Sequence, residues 1–372
     1  MPARPARCRE PPMLRKLMAS GPLLSRRLVD TIAAYVALLY LAVYANARAL
    51  LPEFIFRDAD KIDTQISGGA TYDGTSFDAV GRFYRALGGA GTSVFVAALG
   101  VLFIWLALRQ TRRAGSLFAN LVLIAPCLFF NLFVASKDTL VVLIAVLVAL
   151  AARRLGTVRT LAVAVVLYAG YAALIRSYFA LIVMCAGSAW AFRRAPLPLK
   201  IVALLLAGAA FVALPDSVYT LLQHPRDVAV DYLVYESPFG ARTSFYNLYP
   251  PDSFLHFVGN YAYSVARLNL PILFSFDVKG IAMQGFIALV LASAWPRVAP
   301  PADTRAASPR GGDTLACLIL AHVAVSMLFE PDLGSYTRHL SSVALFAAVL
   351  WPLRTARAAA PSAPPAASVG PA

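Results

Sequence analysis

The sequence predicts an all-α, polytopic integral membrane protein with about ten transmembrane helices. Of its 372 residues, 59% are hydrophobic and only 14% are charged, and the mean hydropathy is +0.68. An average soluble domain is about 45–50% apolar and about 25% charged. A chain this apolar has too few polar side chains to cover a water-soluble fold, so we expect lipid to be its main solvent.

Ten apolar segments approach the length of about 20 residues that a helix needs to cross a bilayer. The shorter ones are flanked by Arg or Lys side chains that can extend to water. The predicted spans are 30–51, 92–109, 117–135, 138–153, 161–176, 177–192, 200–215, 279–296, 314–330 and 340–354. They predict one membrane domain at 30–354, between a basic tail at 1–29 and a disordered Pro/Ala-rich tail at 355–372. Residues 296–310 share the Pro/Ala-rich composition and are predicted to be disordered as well.

The distribution of charge predicts the orientation of these spans. Of the 33 Lys and Arg residues, 21 lie in the two tails and in alternate loops, whereas most Asp and Glu residues lie in the other loops. By the positive-inside rule the basic set is cytoplasmic, so both termini are expected in the cytoplasm. The net charge of +14 is therefore explained by topology, and nucleic acid is not expected as a partner.

Two loops on the outer side are long, 52–91 and 216–278, and we expect function there. In the second loop, a half-apolar stretch from Phe254 to Phe276 predicts a helix that lies on, or dips into, the outer membrane interface. The same loop places Arg242 among aromatic residues, which suits sugar rings but is also common at membrane interfaces.

Short clusters of ionisable residues lie at the outer ends of the apolar spans, where a charge is costly and is a functional candidate by default. The first is Arg57-Asp58-Ala59-Asp60-Lys61-Ile62-Asp63, whose carboxylates could act as a base or could simply be solvated. The second is Ser136-Lys137-Asp138, which could also serve only to cap the following helix.

Two further clusters contain the arginines of greatest interest. In Ile175-Arg176-Ser177-Tyr178-Phe179, Arg176 needs an anion, either a ligand phosphate or a protein carboxylate such as Asp138. The densest cluster is Glu330-Pro331-Asp332-Leu333-Gly334-Ser335-Tyr336-Thr337-Arg338-His339. Its structural alternative is a polar turn in which Arg338 and Glu330 pair with each other.

Several other chemistries lack their sequence signatures. The four histidines and four cysteines have no zinc-type spacing, and neither a phosphate-binding Gly-Lys-Ser/Thr loop nor a Gly-x-Ser-x-Gly turn is present. We therefore predict no metal and no cofactor. Cationic side chains at the membrane edge, with carboxylates and aromatic residues beside them, suit a lipid-linked sugar diphosphate, because guanidinium groups stabilise a departing diphosphate without a metal.

The clusters at 136–138, 175–179 and 330–339 resemble, in their order and spacing, the pattern of bacterial Wzy-type and EpsG-like polysaccharide polymerases. The resemblance implies a fold similar to the large membrane glycosyltransferase (GT-C-like) class in the bacterial inner membrane. It implies transfer of a growing glycan from undecaprenyl pyrophosphate to the next lipid-linked repeat unit on the periplasmic face. It also implies that outer arginines are needed for activity, here Arg176, Arg242 and Arg338, and it makes a chain-length regulator the candidate protein partner.

On this basis each cluster receives a predicted role. Arg176 and Arg338, with Lys137, would hold the pyrophosphate, and Asp60 or Glu330 would be the base. Arg242 would help to seat the glycan. The remaining substrate-binding candidates are Arg57, Asp138, Tyr178, Tyr336 and His339.

Two other functions remain open at this point. A transferase that adds one sugar from a polyprenyl monophosphate would share the architecture, with Asp58 or Asp60 as the natural base. A transporter or flippase for lipid-linked glycans would line its path with the same arginines, but it would favour charges deeper within the spans, where the sequence has almost none.

Overall fold

The computed structural model describes residues 20–238, 242–295 and 311–358, and within this range the protein is helical, without a strand. Most of the basic tail, all of 296–310 and residues 359–372 lie outside it, so the disorder predicted for the two Pro/Ala-rich segments falls on residues that are not described, apart from 355–358. Those four residues end the last helix.

Each of the ten predicted spans contains helical structure, and the long outer loops contain further helices. The helices are α1 (Arg26–Ala45), α2 (Ala47–Leu50), α3 (Arg57–Ile66), α4 (Ser76–Leu108), α5 (Ala114–Cys127), α6 (Lys137–Arg154), α7 (Thr157–Leu174), α8 (Phe179–Arg194), α9 (Leu197–Val212), α10 (Asp216–Asp231), α11 (Phe254–Asn269), α12 (Val278–Ala294), α13 (Gly312–Phe329), α14 (Leu333–Ser342) and α15 (Ala344–Ala358). Short π-helical turns follow α5 and α10, at Leu128–Leu132 and Tyr232–Glu236, and 3-10 turns lie at Glu53–Ile55 and Pro271–Leu273.

Five of the described helices are long and apolar enough to cross a membrane: α1, α4, α5 with its π turn, α7 and α13. A sixth span results if α9 and the segment Asp216–Glu236, which meet at 87°, are counted as one broken span. The helices of the other predicted spans are shorter or, like α6, carry charges at both ends. The chain is therefore an all-helical protein with apolar helices of membrane-spanning length.

Both long loops are more ordered than predicted. Loop 52–91 contains α3 and the first turns of α4, and α4 is interrupted at Gly88, whose φ of 70° is readily adopted only by glycine. Loop 216–278 contains α10 and α11, so the helix predicted in the stretch from Phe254 to Phe276 is present over Phe254–Asn269. It packs against α10 and α13.

The most deeply buried helices are α6, α13 and α15, which form the centre of the bundle with α5 and α12 around them. In α15 every side chain from Ala344 to Trp351 is buried. In contrast, α9 buries none of its residues. A polar turn at one end of these central helices is consequently buried inside the protein and does not lie on the surface of the bundle.

Several basic residues lie at the end of the bundle opposite the predicted clusters. Lys137 begins α6 beside the predicted clusters, whereas Arg153 lies 16 residues further along the same helix, about 24 Å away at 1.5 Å per residue. There Arg153 donates to the Leu106 carbonyl at 2.7 Å, and Arg194 pairs with Asp313 at 3.3 Å. The described parts of the 153–160 and 193–200 loops, predicted to be cytoplasmic, therefore lie at the end opposite the candidate site.

The packing of α1 against α4 generates a prediction. A Cβ at Gly100 would overlap the Tyr40 ring, whose hydroxyl donates to the Leu132 carbonyl at 2.8 Å. We expect Gly100→Val to lower the free energy of unfolding by about 1–3 kcal/mol, as overpacking does in tight cores. Thermal unfolding in detergent measures this. Gly170→Val, at a position with nothing within 4 Å of its Cβ, is the control, and an equal loss in both variants would contradict the packing argument.

Candidate functional site

The predicted clusters converge on one cavity of about 720 Å³ between α3, α10, Ser237, residues 242–244 and α14. Eight of the eleven predicted site residues line it. They are Arg57, Lys137, Arg176, Tyr178, Arg242, Glu330, Arg338 and His339. Six Lys or Arg side chains and three carboxylates face this cavity, so its lining is net positive and suits an anionic ligand.

Asp138 is the centre of the charged groups behind the cavity. Its carboxylate is 2% exposed and accepts a hydrogen bond from Arg176 at 3.1 Å. Its second oxygen pairs with Arg338 Nε at 3.3 Å. The predicted alternative for Arg176, a protein carboxylate as its anion, is thus observed, and the same carboxylate also serves Arg338.

The local sequence explains why Asp138 is held so firmly. Ser136 caps α6 and forms a capping box with Thr139, as expected from the sequence, and this fixes the first turn. Tyr171 donates to the Lys137 carbonyl at 3.2 Å, and Tyr84 donates to the Ser136 carbonyl at 2.9 Å. One turn therefore both caps α6, through Ser136, and supplies the buried carboxylate of Asp138.

Arg338 is shared between two carboxylates. Besides Asp138 it binds Asp58 on α3 at 3.0 Å, and no direct contact with Glu330 is found among the described residues. Burial raises the pKa of Asp58, but the Arg338 guanidinium, assisted by Lys137 and Arg176, outweighs burial and holds this pKa below its ordinary value. Asp58 is therefore ionised at neutral pH, and the turn predicted as a Glu330–Arg338 pair is arranged differently.

Glu330 binds His339 instead. His339 Nδ1 contacts Glu330 Oε1, and its Nε2 lies 3.1 Å from an Arg176 nitrogen and 3.6 Å from Asp138. Because Arg176 can only donate, the network assigns the proton to Nδ1 and the lone pair to Nε2. This is the arrangement of a histidine oriented by a carboxylate, with the lone pair of its second nitrogen directed at Arg176.

Lys137 differs from the two arginines because it has no carboxylate within 4 Å among the described residues. Lys137 is only 6% exposed. Its side-chain nitrogen lies 3.3 Å from Ser76 Oγ and 3.4 Å from the centre of the Phe77 ring. A cation–π contact offsets only part of the cost of burying a charge. Burial and the neighbouring Arg176 lower the pKa of Lys137 to about 7, so an incoming anion would stabilise its charged form.

Two predicted residues lie elsewhere. Asp60, predicted as a base, is exposed outside the cavity and forms an ion pair with Arg48. Tyr336, predicted to bind substrate, is fully buried on the core side of α14 and donates to Asn269 at 2.8 Å. The helical period explains both results: Asp58 and Arg338 face the cavity, and residues two positions away on the same helices face other directions.

Sequence reasoning missed Lys279, which lies in the first turn of α12 and lines the cavity. It also ranked Asp60 above Asp58. The second error had a usable signal, because Asp58 precedes Ile62 by four residues and therefore shares its buried face, whereas Asp60 does not. Lys279 had no such signal, since only tertiary packing brings α12 to this cavity.

The arrangement can bind an anion and transfer a proton. Among the described residues, no group of three or more His, Cys, Asp or Glu side chains is placed to hold a metal ion. The described side chains of the site themselves supply cations, carboxylates and the imidazole of His339. Comparison of the chain with protein-family models, curated proteins and solved structures gives no match.

The buried charge network generates a prediction about stability. Asp138→Asn leaves Arg176 and Arg338 without their shared counter-charge, so we expect a loss of about 3–5 kcal/mol in the free energy of unfolding. Asp60→Asn is the matched control, because exposed pairs such as Asp60–Arg48 contribute only about 0–1 kcal/mol. Thermal unfolding of the purified variants in detergent measures both. A loss for Asp138→Asn no larger than for Asp60→Asn would show that the network is not a stabilising unit.

Proposed function

We propose that this protein is a membrane glycosyltransferase that polymerises undecaprenyl-pyrophosphate-linked oligosaccharide repeat units into O-antigen, capsule or exopolysaccharide. One observation carries the proposal: the buried ammonium of Lys137, without a carboxylate partner among the described residues, faces the same cavity as the paired Arg176 and Arg338. A diphosphate supplies the negative charge that this cavity lacks. The resemblance of the three clusters to Wzy-type and EpsG-like polymerases supports the same choice.

The proposal includes ten spans, cytoplasmic termini and a cavity that opens to the periplasm in the bacterial inner membrane. The meeting of the basic loops at the end opposite the cavity supports this orientation, since those loops are the cytoplasmic ones by the positive-inside rule. Helices such as α8 and α12, of 16 and 17 residues, span with the help of flanking cations and local thinning of the bilayer.

In the proposed reaction, a hydroxyl of the acceptor sugar attacks the anomeric carbon of the donor glycan. The bond from that carbon to the diphosphate oxygen breaks, and the undecaprenyl pyrophosphate leaves with the electron pair. Lys137, Arg176 and Arg338 stabilise the charge that develops on the diphosphate. Arg57 and Arg242, at the cavity lining, bind the sugars that follow it.

His339 takes the proton of the attacking hydroxyl, and Glu330 orients the ring. In the resting site the lone pair of Nε2 faces Arg176. A bound diphosphate competes for Arg176 and frees Nε2, so the base becomes available when the donor is in place. Glu330 at Nδ1 and Asp138 near Nε2 then stabilise the imidazolium that forms.

A second function is favoured by the position of Asp58. Its ionised carboxylate lines the cavity beside the cations, where a transferase that adds one sugar from a polyprenyl monophosphate would place its base. The two functions predict different products, so glycan analysis separates them.

We expect deletion of the gene to leave a single complete repeat unit on its lipid and to abolish longer chains. The measurement is the size distribution of lipid-linked and surface glycans with and without the gene, with the wild-type gene restored as a control. Chains that persist with one sugar missing from every repeat would contradict polymerisation and support the single-sugar transferase. Complete units that accumulate on the cytoplasmic face would instead indicate transport.

We expect His339→Gln to lower the polymerisation rate by about 10²–10⁴-fold, because the proton of the attacking hydroxyl loses its acceptor. The control is His256→Gln. His256 also pairs with a carboxylate, Asp252 at 2.7 Å, but this exposed pair does not line the cavity. Polymer formation from purified lipid-linked repeat units measures both rates, and equal rates for the two variants would remove His339 from the mechanism.

A further inference from the structure

Arg226 is a fully buried arginine behind the cavity and is not part of the proposed reaction. It lies on α10, and its side chain reaches into the centre of the outer half of the molecule. Among the described residues, no carboxylate lies within 4 Å of its guanidinium. Burying a cation with no carboxylate in direct contact is costly, and such residues are rare unless they have a specific role.

Four neutral oxygens from three parts of the fold satisfy this guanidinium. Nε donates to the Glu330 carbonyl at 3.2 Å, Nη2 donates to the Met327 carbonyl, and Nη1 donates to Asn247 at 3.1 Å and to Ser264. The plane of the group also lies over the Phe245 ring, 5.0 Å from its centre. All three guanidinium nitrogens are therefore used, and one acceptor, the Glu330 carbonyl, belongs to a residue that lines the cavity.

The two carbonyl acceptors lie at the C-terminal end of α13. The last carbonyl groups of a helix lack partners within the helix and carry a partial negative charge, which a cation stabilises. Arg226 is such a cation. By binding the carbonyls of Met327 and Glu330, it fixes the backbone from which the Glu330 side chain extends to His339.

The same guanidinium also fixes the segment that follows Arg242. Asn247 is bound by Arg226 and in turn binds Asp227 and the Gln223 carbonyl. Two residues earlier, the Phe245 amide donates to the Pro331 carbonyl at 3.1 Å, directly beside Glu330. The 245–247 segment and the Glu330–Pro331 turn are thus joined into one unit through Arg226.

We propose that Arg226 is a positioning residue: it acts through Glu330 to orient His339 toward the hydroxyl of the acceptor sugar. The effect on catalysis rests on the proposed function, whereas the role of Arg226 in holding the Glu330 turn rests on the contacts alone. A Lys at this position keeps the charge and loses the fork of donors, so it cannot hold both carbonyls and Asn247 together.

The test uses Arg226→Lys in the full-length protein, with Arg267→Met as the matched control. Arg267 lies over the same Phe245 ring, at 5.4 Å, and also over Phe274, but it makes no hydrogen bond to the 327–330 backbone in the described structure. We expect Arg226→Lys to lower kcat by about 100-fold, the effect of displacing a reacting group by about 1 Å. We expect KM for the lipid-linked unit, and the rate of the Arg267→Met variant, to change little.

A double-mutant cycle with Glu330→Gln separates positioning from general destabilisation. If Arg226 acts through Glu330, adding Arg226→Lys to Glu330→Gln lowers kcat by less than about threefold further, because the two effects are coupled. A further loss near 100-fold would show that Arg226 acts independently of Glu330 and would overturn the proposal.

Hydrogen–deuterium exchange keeps the proposal testable without activity. We expect faster amide exchange over residues 330–335 in Arg226→Met than in Arg267→Met, at a temperature where both variants remain folded. Equal exchange in the two variants would overturn the positioning role. If the wild-type protein joins no lipid-linked units, the proposed function fails, and the exchange comparison alone decides whether Arg226 holds the Glu330 turn.

Discussion

The arrangement of the cavity depends on one buried carboxylate, Asp138. A charge that is 2% exposed inside an apolar bundle is stable only where opposite charges meet it directly, and here Arg176 and Arg338 do so. Those arginines come from the α7–α8 turn and from α14, so the ion pairs fix three distant parts of the chain against one another. Arg338 extends the network to Asp58 on α3. The ion pairs that offset the burial of Asp138 thereby hold α3, α6, α14 and the α7–α8 turn in fixed positions.

The need to hold Asp138 in place explains why so many hydrogen bonds restrain the Ser136-Lys137-Asp138 turn. The capping box of Ser136 and Thr139, and the tyrosine hydroxyls on the Ser136 and Lys137 carbonyls, all restrict the backbone that carries Asp138. The preceding π turn also contacts this site, because Asn131 donates to the Arg338 carbonyl at 3.1 Å. A π turn within a helix commonly lies at a functional site. Here it brings the end of α5 to the helix that carries Arg338 and His339.

The sequence predicted the helices and the principal charged groups for a common reason: in an apolar chain, every interruption by a charge is conspicuous. Asp138, Arg176 and Arg338 were recognised in this way, and the pairing of Arg176 with Asp138 is one of the two alternatives that the sequence left open. The orientation of side chains within a helix was harder to predict. Tyr336 belonged to the densest polar cluster, yet it faces the core, because neighbouring positions on α14 point in different directions. Lys279 and Arg226 depend on packing between segments far apart in sequence, which the local pattern does not contain.

The difference between paired and unpaired cations gives the cavity its chemical character. Arg176 and Arg338 are held by Asp138 and Asp58, so they are in place before any ligand arrives, whereas Lys137 contributes a charge that no carboxylate within 4 Å balances among the described residues. An incoming anion therefore meets donors that are already in place, and it stabilises the charged form of Lys137, whose pKa burial lowers to about 7. Because Arg176 also contacts Nε2 of His339, attraction of the anion and release of the base involve the same guanidinium. In the proposed reaction this coupling means that His339 gains its free lone pair only when the diphosphate is bound, which protects the site from proton transfer without a donor.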